Sequence, residues 1–160
     1  MIPIGDSVRA RTFPYVNIAI IIASFLVFFY ELALGPIEID RFMFRWGVVP
    51  DRLVDYLNHP SDVPLRVLFT PLTAMFIHGG WFHILGNMIF LWVFGDNVED
   101  CMGHLRYLVF YLASGVAAAA AQVWVDSSSL VPMVGASGAI AGVLGAYLVL
   151  YPRATIAILI

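Results

Sequence analysis

Long apolar runs alternate with short polar stretches along this chain. A helix needs about 20 predominantly apolar residues to cross the hydrocarbon core of a bilayer, and four runs come close to that length. We place these runs at about 14–34, 81–98, 105–125 and 137–151. A further apolar stretch, 154–160, begins after Pro152 and Arg153. The pattern predicts an all-α polytopic membrane protein with four spans and the start of a fifth.

The connection between the first two runs, residues 35–77, mixes charged and apolar positions. A structured amphipathic segment lying in the membrane interface has this kind of composition, whereas a disordered linker has few apolar residues. Arg45 stands beside Trp46, a pair typical of headgroup depth. We therefore predict an interfacial loop over 35–77.

The composition supports a membrane protein and excludes several function classes. Of the 160 residues, 61% are hydrophobic and 12% are charged, against about 45–50% and about 25% in soluble domains. The net charge of −3 provides no basic surface for nucleic acid. One cysteine cannot form an internal disulfide. The first apolar run is too long for a cleavable signal peptide and lacks a small-residue cleavage site.

Arginine counts leave the orientation in the membrane balanced. Four arginines would lie on each side: Arg9, Arg11, Arg106 and Arg153 against Arg41, Arg45, Arg52 and Arg66. We predict a cytoplasmic N-terminus, because long connections follow the positive-inside rule poorly. The very short polar N-terminal tail favours a prokaryotic plasma (inner) membrane.

Two polar motifs interrupt the apolar runs. His83 and Asn87 stand four residues apart near the start of the second span, hence on one helical face, and Ser137 begins the fourth. The second and fourth spans start on the same side of the membrane, so these residues lie within about 5 Å of their helix starts in one leaflet. Polar side chains in a span are costly to bury. We expect serine, imidazole and amide to share one polar pocket.

This combination favours acyl transfer. A serine at a helix N-terminus has free backbone N–H groups and the positive end of the helix dipole beside it. With the His83 ring and the Asn87 amide, these donors could stabilise an oxyanion. Gly135 and Gly138, on either side of Ser137, leave room for a substrate backbone. The alternative for Ser137 is a small-residue packing site between helices. A channel or transporter, as a different function class, would need paired charges or broken helices at the midplane of the membrane.

Nearly the whole chain resembles the rhomboid family of intramembrane serine proteases. The resemblance rests on the first span, the loop with Arg45-Trp46, the stretch Phe-Ile-His-Gly-Gly-Trp-Phe-His at 76–83 leading to Asn87, and Gly-Ala-Ser-Gly at 135–138. It implies a single rhomboid-like transmembrane domain over 1–160, C-terminally incomplete, in which Ser137 is the nucleophile. It also implies that His83 and Asn87 bind the oxyanion, and that Glu99 matches a structural glutamate of the family.

The resemblance implies a serine endopeptidase that hydrolyses peptide bonds in or near transmembrane helices of membrane proteins. The family's base is a histidine on a sixth span, and none of the four histidines here matches that position. We expect the base beyond residue 160, in a longer protein of which this chain is a fragment that is inactive alone. The alternative is a non-catalytic, rhomboid-like adaptor that binds client transmembrane helices without cleaving them.

The remaining polar residues predict no cofactor and no metal. His78 and His83 are five residues apart, off a common helical face, and lack the nearby Cys or carboxylate partners that zinc prefers. We expect His104 to be interfacial and solvated. Asp96, Glu99 and Asp100 most simply mark the end of the second span. The predicted partners are the lipid bilayer and transmembrane-helix substrates.

Overall fold

The computed structural model describes residues 2–159. Its elements in chain order are one strand, seven α-helices and a second strand: β1 (Ile2–Asp6), α1 (Tyr15–Leu32), α2 (Pro36–Trp46), α3 (Pro50–Asn58), α4 (Thr70–Thr73), α5 (Trp81–Met102), α6 (His104–Val125), α7 (Ser137–Leu150) and β2 (Ile156–Leu159). Short 3₁₀ turns at Leu65–Phe69 and Ala74–Phe76 flank α4. The predicted class, a helical membrane protein, is confirmed.

By length and composition, α1 and α6 are each able to cross a membrane. The helix α5 qualifies together with the 65–76 segment before it, from which it is bent by 80°. The apolar helix α7 has 14 residues and is shorter than α1, α5 and α6. Helix α5 therefore enters the bundle from a sharply bent, non-helical approach at residues 77–80.

The two chain ends form a small antiparallel sheet. Ile2 pairs with Leu159 and Asp6 with Ile156. The sequence pattern predicts a polar tail at the N-terminus and the start of an apolar span after residue 153, whereas the structure has strands in both places. A short apolar run has no length that separates strand from helix, and the alternating β-branched residues Ile156 and Ile158 suit a strand.

Helices α6 and α7 pack with their backbones close together. A Cβ atom on Gly142 would lie 2.3 Å from Ser114 Oγ, and one on Gly138 would lie 2.5 Å from Ala118 Cβ. Small residues at matching positions allow this approach, and without a hydrophobic driving force in lipid such packing holds membrane helices together.

A buried polar network links α1, α5 and α6. The Asn17 side chain donates to the Leu91 carbonyl at 3.0 Å and accepts from the Tyr107 hydroxyl at 2.8 Å. A Cβ on Gly95 would lie 2.2 Å from Asn17 Oδ1, so only glycine leaves space for the amide there. Both the NH₂ group and the oxygen of the Asn17 amide have hydrogen-bond partners. The network therefore fixes how α1 lies against α5.

Glu99 of α5 stabilises the N-terminus of α1, a helix that lies far from it in the sequence. Its fully buried carboxylate accepts the backbone N–H groups of Val16 at 3.0 Å and Asn17 at 2.7 Å, two of the donors that a helix start leaves unpaired. The exposed ring of His104 also donates to it through Nδ1. Glu99 is therefore a structural capping group as well as a charge at the end of the second span, in keeping with the structural glutamate that the resemblance implies at this position.

The 35–77 connection contains α2, α3 and α4 and is tied to the core by backbone contacts. Val48 and Met133 exchange two backbone hydrogen bonds, of 3.0 and 2.7 Å, which join the connection to the segment before α7. The Thr73 hydroxyl donates to the Trp46 carbonyl at 2.6 Å. The Val48–Met133 pair thus holds the connection beside the start of α7, and the Thr73 bond holds the end of α2 against α4 within the connection.

Candidate functional site

One cavity brings together the polar residues singled out in the sequence. His83 and Asn87, in the first two turns of α5, and Ser137, the first residue of α7, line a cavity of about 380 Å³ between these helices. Its other walls are mainly apolar: Phe82, Gly86, Phe90, Ile140, Ala141 and Leu144. Ser137 is exposed, whereas Asn87 is buried. A serine hydroxyl therefore faces a cavity that has an imidazole and an amide on the opposite helix.

Gly135 fits closely against the two α5 side chains. Its φ of +117° lies in the region that favours glycine, and its N–H donates to the Ala74 carbonyl at 2.8 Å. A Cβ here would lie 2.5 Å from His83 Nε2 and 3.7 Å from Asn87 Nδ2. The backbone just before Ser137 is thus in direct contact with the imidazole edge, with the Asn87 amide nitrogen close by.

The hydrogen bonding of His83 indicates which ring nitrogen carries the proton. The Gly79 N–H donates to His83 Nδ1 at 3.4 Å, so Nδ1 acts as the acceptor. In a neutral imidazole the other nitrogen then bears the hydrogen. His83 Nε2, which faces Gly135, is consequently a donor on the cavity side.

Glu31 is a site residue that sequence analysis missed. From the last turn of α1, its buried carboxylate accepts the backbone N–H of His78 with both oxygens at 3.3 Å. The buried His78 ring packs edge-on against the His83 ring, with centroids 5.2 Å apart. The sequence signal that could have identified Glu31 is a carboxylate within an apolar helix. Its partner, the bend before α5, is visible only in the folded chain.

Ser137 also borders a second cavity, of about 230 Å³, on the side facing α6. Besides Ser137 and Gly138, its wall includes Met75, Gln122 and Met133. Gly138 makes the close contact with Ala118 and borders this cavity. Its expected part in leaving room for a substrate backbone stays a prediction. Ser137 is therefore reached from two directions, from between α5 and α7 and from between α6 and α4.

Within residues 2–159, each histidine ring makes its hydrogen bond with a group other than Ser137. His59 contacts Asp55, His78 the Phe76 carbonyl, and His83 the Gly79 N–H. His104 binds Glu99. The cavity itself offers a serine hydroxyl together with hydrogen-bond donors: the Nε2–H of His83, the amide of Asn87 and the first N–H groups of α7.

The family model and the similar proteins all indicate the same family. A model described as "Rhomboid domain" matches residues 66–160, more than half of the chain. "RHOMBOID-like protein 5" of Arabidopsis thaliana is 36% identical over 77 residues, which cover 48% of this chain and 25% of that protein. "Presenilin-associated rhomboid-like protein, mitochondrial" of Bos taurus is 33% identical over 129 residues, or 78% of this chain and 34% of that protein.

A bacterial protein is also similar. "Rhomboid protease GluP" of Bacillus subtilis is 42% identical over 77 residues, which cover 48% of this chain and 15% of that protein. The chain spans about a third or less of the length of these relatives. No solved structure matches it.

The relatives include plant and mitochondrial proteins, so they do not support the predicted prokaryotic membrane, which stays a prediction. The apolar helices and the family agree on the broader location, an integral membrane protein. The motif residues at 76–83 and 135–138 both fall within the matched region. On these grounds the chain belongs to the rhomboid family.

Proposed function

We propose that this chain carries the nucleophile and the oxyanion-binding groups of an intramembrane serine endopeptidase. Its substrates are membrane proteins, cleaved in or near their transmembrane helices. The observation that supports this most directly is the shared cavity of His83, Asn87 and Ser137, with the first two in close proximity to Gly135. The name of the bacterial relative, "Rhomboid protease GluP", points to the same chemistry.

In the proposed reaction, Ser137 Oγ attacks the carbonyl carbon of a peptide bond. The oxygen that becomes negative accepts from His83 Nε2–H, from the Asn87 amide and from the Ser137 backbone N–H. Asn87 Nδ2 is buried and has no hydrogen-bond partner in the described part of the chain. An unpaired buried donor costs free energy, and a substrate oxygen in the cavity would satisfy it. Asn87 is therefore suited to bind an acceptor supplied from outside.

The serine proton has to pass to a base before the attack is complete. We assign this step to a histidine beyond residue 160, in keeping with the resemblance to the rhomboid proteases. The 160-residue chain alone is then expected to retain only residual activity, as serine proteases do when one catalytic group is removed. No metal or cofactor has a part in this mechanism.

The test uses the full-length protein reconstituted in lipid and a fluorophosphonate probe that labels activated serines. We expect labelling of the wild type, none for Ser137→Ala, and a rate about 10²–10³-fold lower for His83→Ala or Asn87→Ala. Ser61→Ala is the matched control, because Ser61 is an exposed loop serine bonded to Asp62.

Three outcomes would contradict the proposal or a part of it. Wild-type labelling that survives Ser137→Ala would identify another nucleophile. A full-length protein that binds client transmembrane helices, but is neither labelled nor able to cleave them, would be the non-catalytic adaptor. Cleavage by the 160-residue chain alone, lost in Ser137→Ala, would show that no base beyond residue 160 is needed.

A further inference from the structure

His78, in the bend before α5, is a buried histidine to which the proposed reaction gives no part. It is only 1% exposed, and its backbone N–H donates to both carboxylate oxygens of Glu31 at 3.3 Å. Its ring is held as well, since Nδ1 lies 3.2 Å from the Phe76 carbonyl oxygen. A carbonyl oxygen only accepts, so Nδ1 carries the proton. The His78 ring therefore has a fixed place in the bend.

The other ring nitrogen of His78 contributes no hydrogen bond. Burial lowers the pKa of His78 to about 4, so the ring is uncharged at neutral pH. With the proton on Nδ1, Nε2 is left as an acceptor, and within residues 2–159 this buried nitrogen has no partner. A buried acceptor without a partner costs free energy. Apart from its bond to the Phe76 carbonyl, what the ring contributes is therefore its packing.

The His78 ring packs against the His83 ring. The two rings meet edge-on, with centroids 5.2 Å apart and planes at 67°. His83 Nδ1 accepts the Gly79 N–H at 3.4 Å, which is longer than the usual range of about 2.7–3.2 Å for N–H donors. So long a bond constrains the orientation of the imidazole only weakly. Its orientation depends on the groups packed around it, the His78 ring and the Gly135 backbone.

We propose that His78 is a positioning residue, whose ring holds the His83 imidazole with Nε2–H on the cavity side. His78 does not line the cavity of Ser137 and therefore acts only through His83. A donor in a catalytic site has to be held within about 0.5 Å of its productive place by packed neighbours. The consequence for the reaction rests on the proposed oxyanion role of His83, whereas the contact between the rings does not.

The test follows fluorophosphonate labelling of the full-length protein in lipid, and it separates the rate constant at saturating probe from the fraction of protein that is labelled. For His78→Ala we expect the rate constant to fall by about 10–10²-fold, part of the about 10²–10³-fold loss for a missing oxyanion donor, with the labelled fraction unchanged. A merely structural role would lower the labelled fraction and leave the rate constant as it is, which would overturn the proposal. His59→Ala is the matched control, because His59 is an exposed histidine bonded to Asp55.

Two further variants separate the ring of His78 from its hydrogen bond. His78→Phe keeps an aromatic ring beside His83, leaves no buried nitrogen unpaired and should restore most of the rate lost in His78→Ala. His78→Asn keeps a donor for the Phe76 carbonyl but has no ring, so it should label as slowly as His78→Ala. The reverse order of the two variants would assign the effect to the Phe76 bond and overturn the proposal.

A double-mutant cycle tests whether His78 acts through His83. The variant that combines His78→Ala with His83→Ala should label at the same rate as His83→Ala alone, because no imidazole is left to position. A further loss of rate in the double variant would give His78 a separate role and overturn the proposal.

The ¹⁵N resonances of the His83 ring provide a readout that does not require Ser137 to react. We expect a single Nε2–H state in the wild type and in His78→Phe, and a mixture of ring states in His78→Ala. An unchanged His83 spectrum in His78→Ala would overturn the proposal. A mixture of states in His78→Ala, in a protein whose wild type is not labelled, would support the positioning contact and contradict the proposed function alone.

Discussion

The imidazole of His83 lies where a side chain on residue 135 would be. Nε2 of the ring is 2.5 Å from the position of a Cβ built on Gly135. The contact joins the start of α5 to the loop that leads into α7, residues that are 52 positions apart in the sequence. Position 135 thus requires glycine for two reasons: its φ of +117° favours glycine, and the His83 ring leaves no space for a side chain.

Gly135→Ala should displace the His83 ring and strain the loop before Ser137. We expect fluorophosphonate labelling of the full-length protein to slow by about 10²-fold or more, comparable with the loss of an oxyanion donor. Gly145→Ala is the control, since a Cβ on Gly145 of α7 has no neighbour within 4 Å. Equal labelling of Gly135→Ala and the wild type would argue against an oxyanion role for His83.

Glu31→Gln should loosen the bend that carries His78 and Gly79 into α5. The neutral amide keeps one oxygen, but it loses the charge and one of the two acceptors for the His78 N–H. We expect the ¹⁵N resonances of the His83 ring, assigned in nanodiscs, to report a mixture of tautomers instead of the Nε2–H form. An unchanged spectrum would mean that Glu31 does not influence the orientation of His83.

Glu99→Gln should destabilise the bundle. Its carboxylate accepts from the backbone N–H groups of Val16 and Asn17, and an amide turned into this site would direct an NH₂ group at one of those donors. We expect a loss of about 1.5–3 kcal/mol in the free energy of unfolding, the range for hydrogen bonds to charged groups. Thermal unfolding in detergent, followed by circular dichroism, measures it. Asp100→Asn, at the partly exposed neighbouring carboxylate, should have a smaller effect.

Gly95→Ala should break the contact between α1, α5 and α6. The added methyl group would overlap Asn17 Oδ1 and lie 2.7 Å from the Tyr107 hydroxyl. Overpacking of a tight interior costs about 1–3 kcal/mol, and the unpaired amide adds to the loss. In the same unfolding assay Gly86→Ala serves as control, because a Cβ on that glycine of α5 has no atom within 4 Å. Equal stability of the two variants would contradict the claim that the contact of Gly95 with Asn17 and Tyr107 stabilises the bundle.

Gly142→Val should push α7 away from α6. Ser114 lies against Gly142, and the larger side chain has no room beside its Oγ. We expect a loss of about 1–3 kcal/mol in unfolding free energy. Gly145→Val, three residues further along α7, places the same side chain in open space and should leave stability nearly unchanged. If both variants unfold alike, the helices do not depend on close approach at Gly142.

Several features followed from the sequence because they depend on local composition. The apolar runs are long enough to form helices in a membrane, and this decides the class whatever the helices pack against. His83 and Asn87 share a face because helical periodicity alone fixes it. The common starting side of the second and fourth spans follows from counting crossings, so the meeting of Ser137 with the α5 side chains was expected.

Other features depend on contacts between residues far apart in the chain. The composition around Glu99 indicates a charge at the end of a span, and the resemblance implies a structural role for it. The particular role, as the cap of α1, exists only because α1 and α5 pack side by side. The contact of Glu31 with the His78 N–H likewise exists only because the fold brings the end of α1 against the bend before α5. The strands at the two ends were missed because short apolar runs are ambiguous without their pairing partner.

The sequence by itself determined that this is a helical membrane protein and which polar residues stand near the starts of its helices. The tertiary structure decided what each of those residues touches: the Gly135 backbone for His83, the α1 N–H groups for Glu99 and the bend before α5 for Glu31. The physical reason is one of range. Periodicity and hydrophobicity act over a few residues, whereas close packing and hydrogen bonding between helices act over distances that only folding makes short.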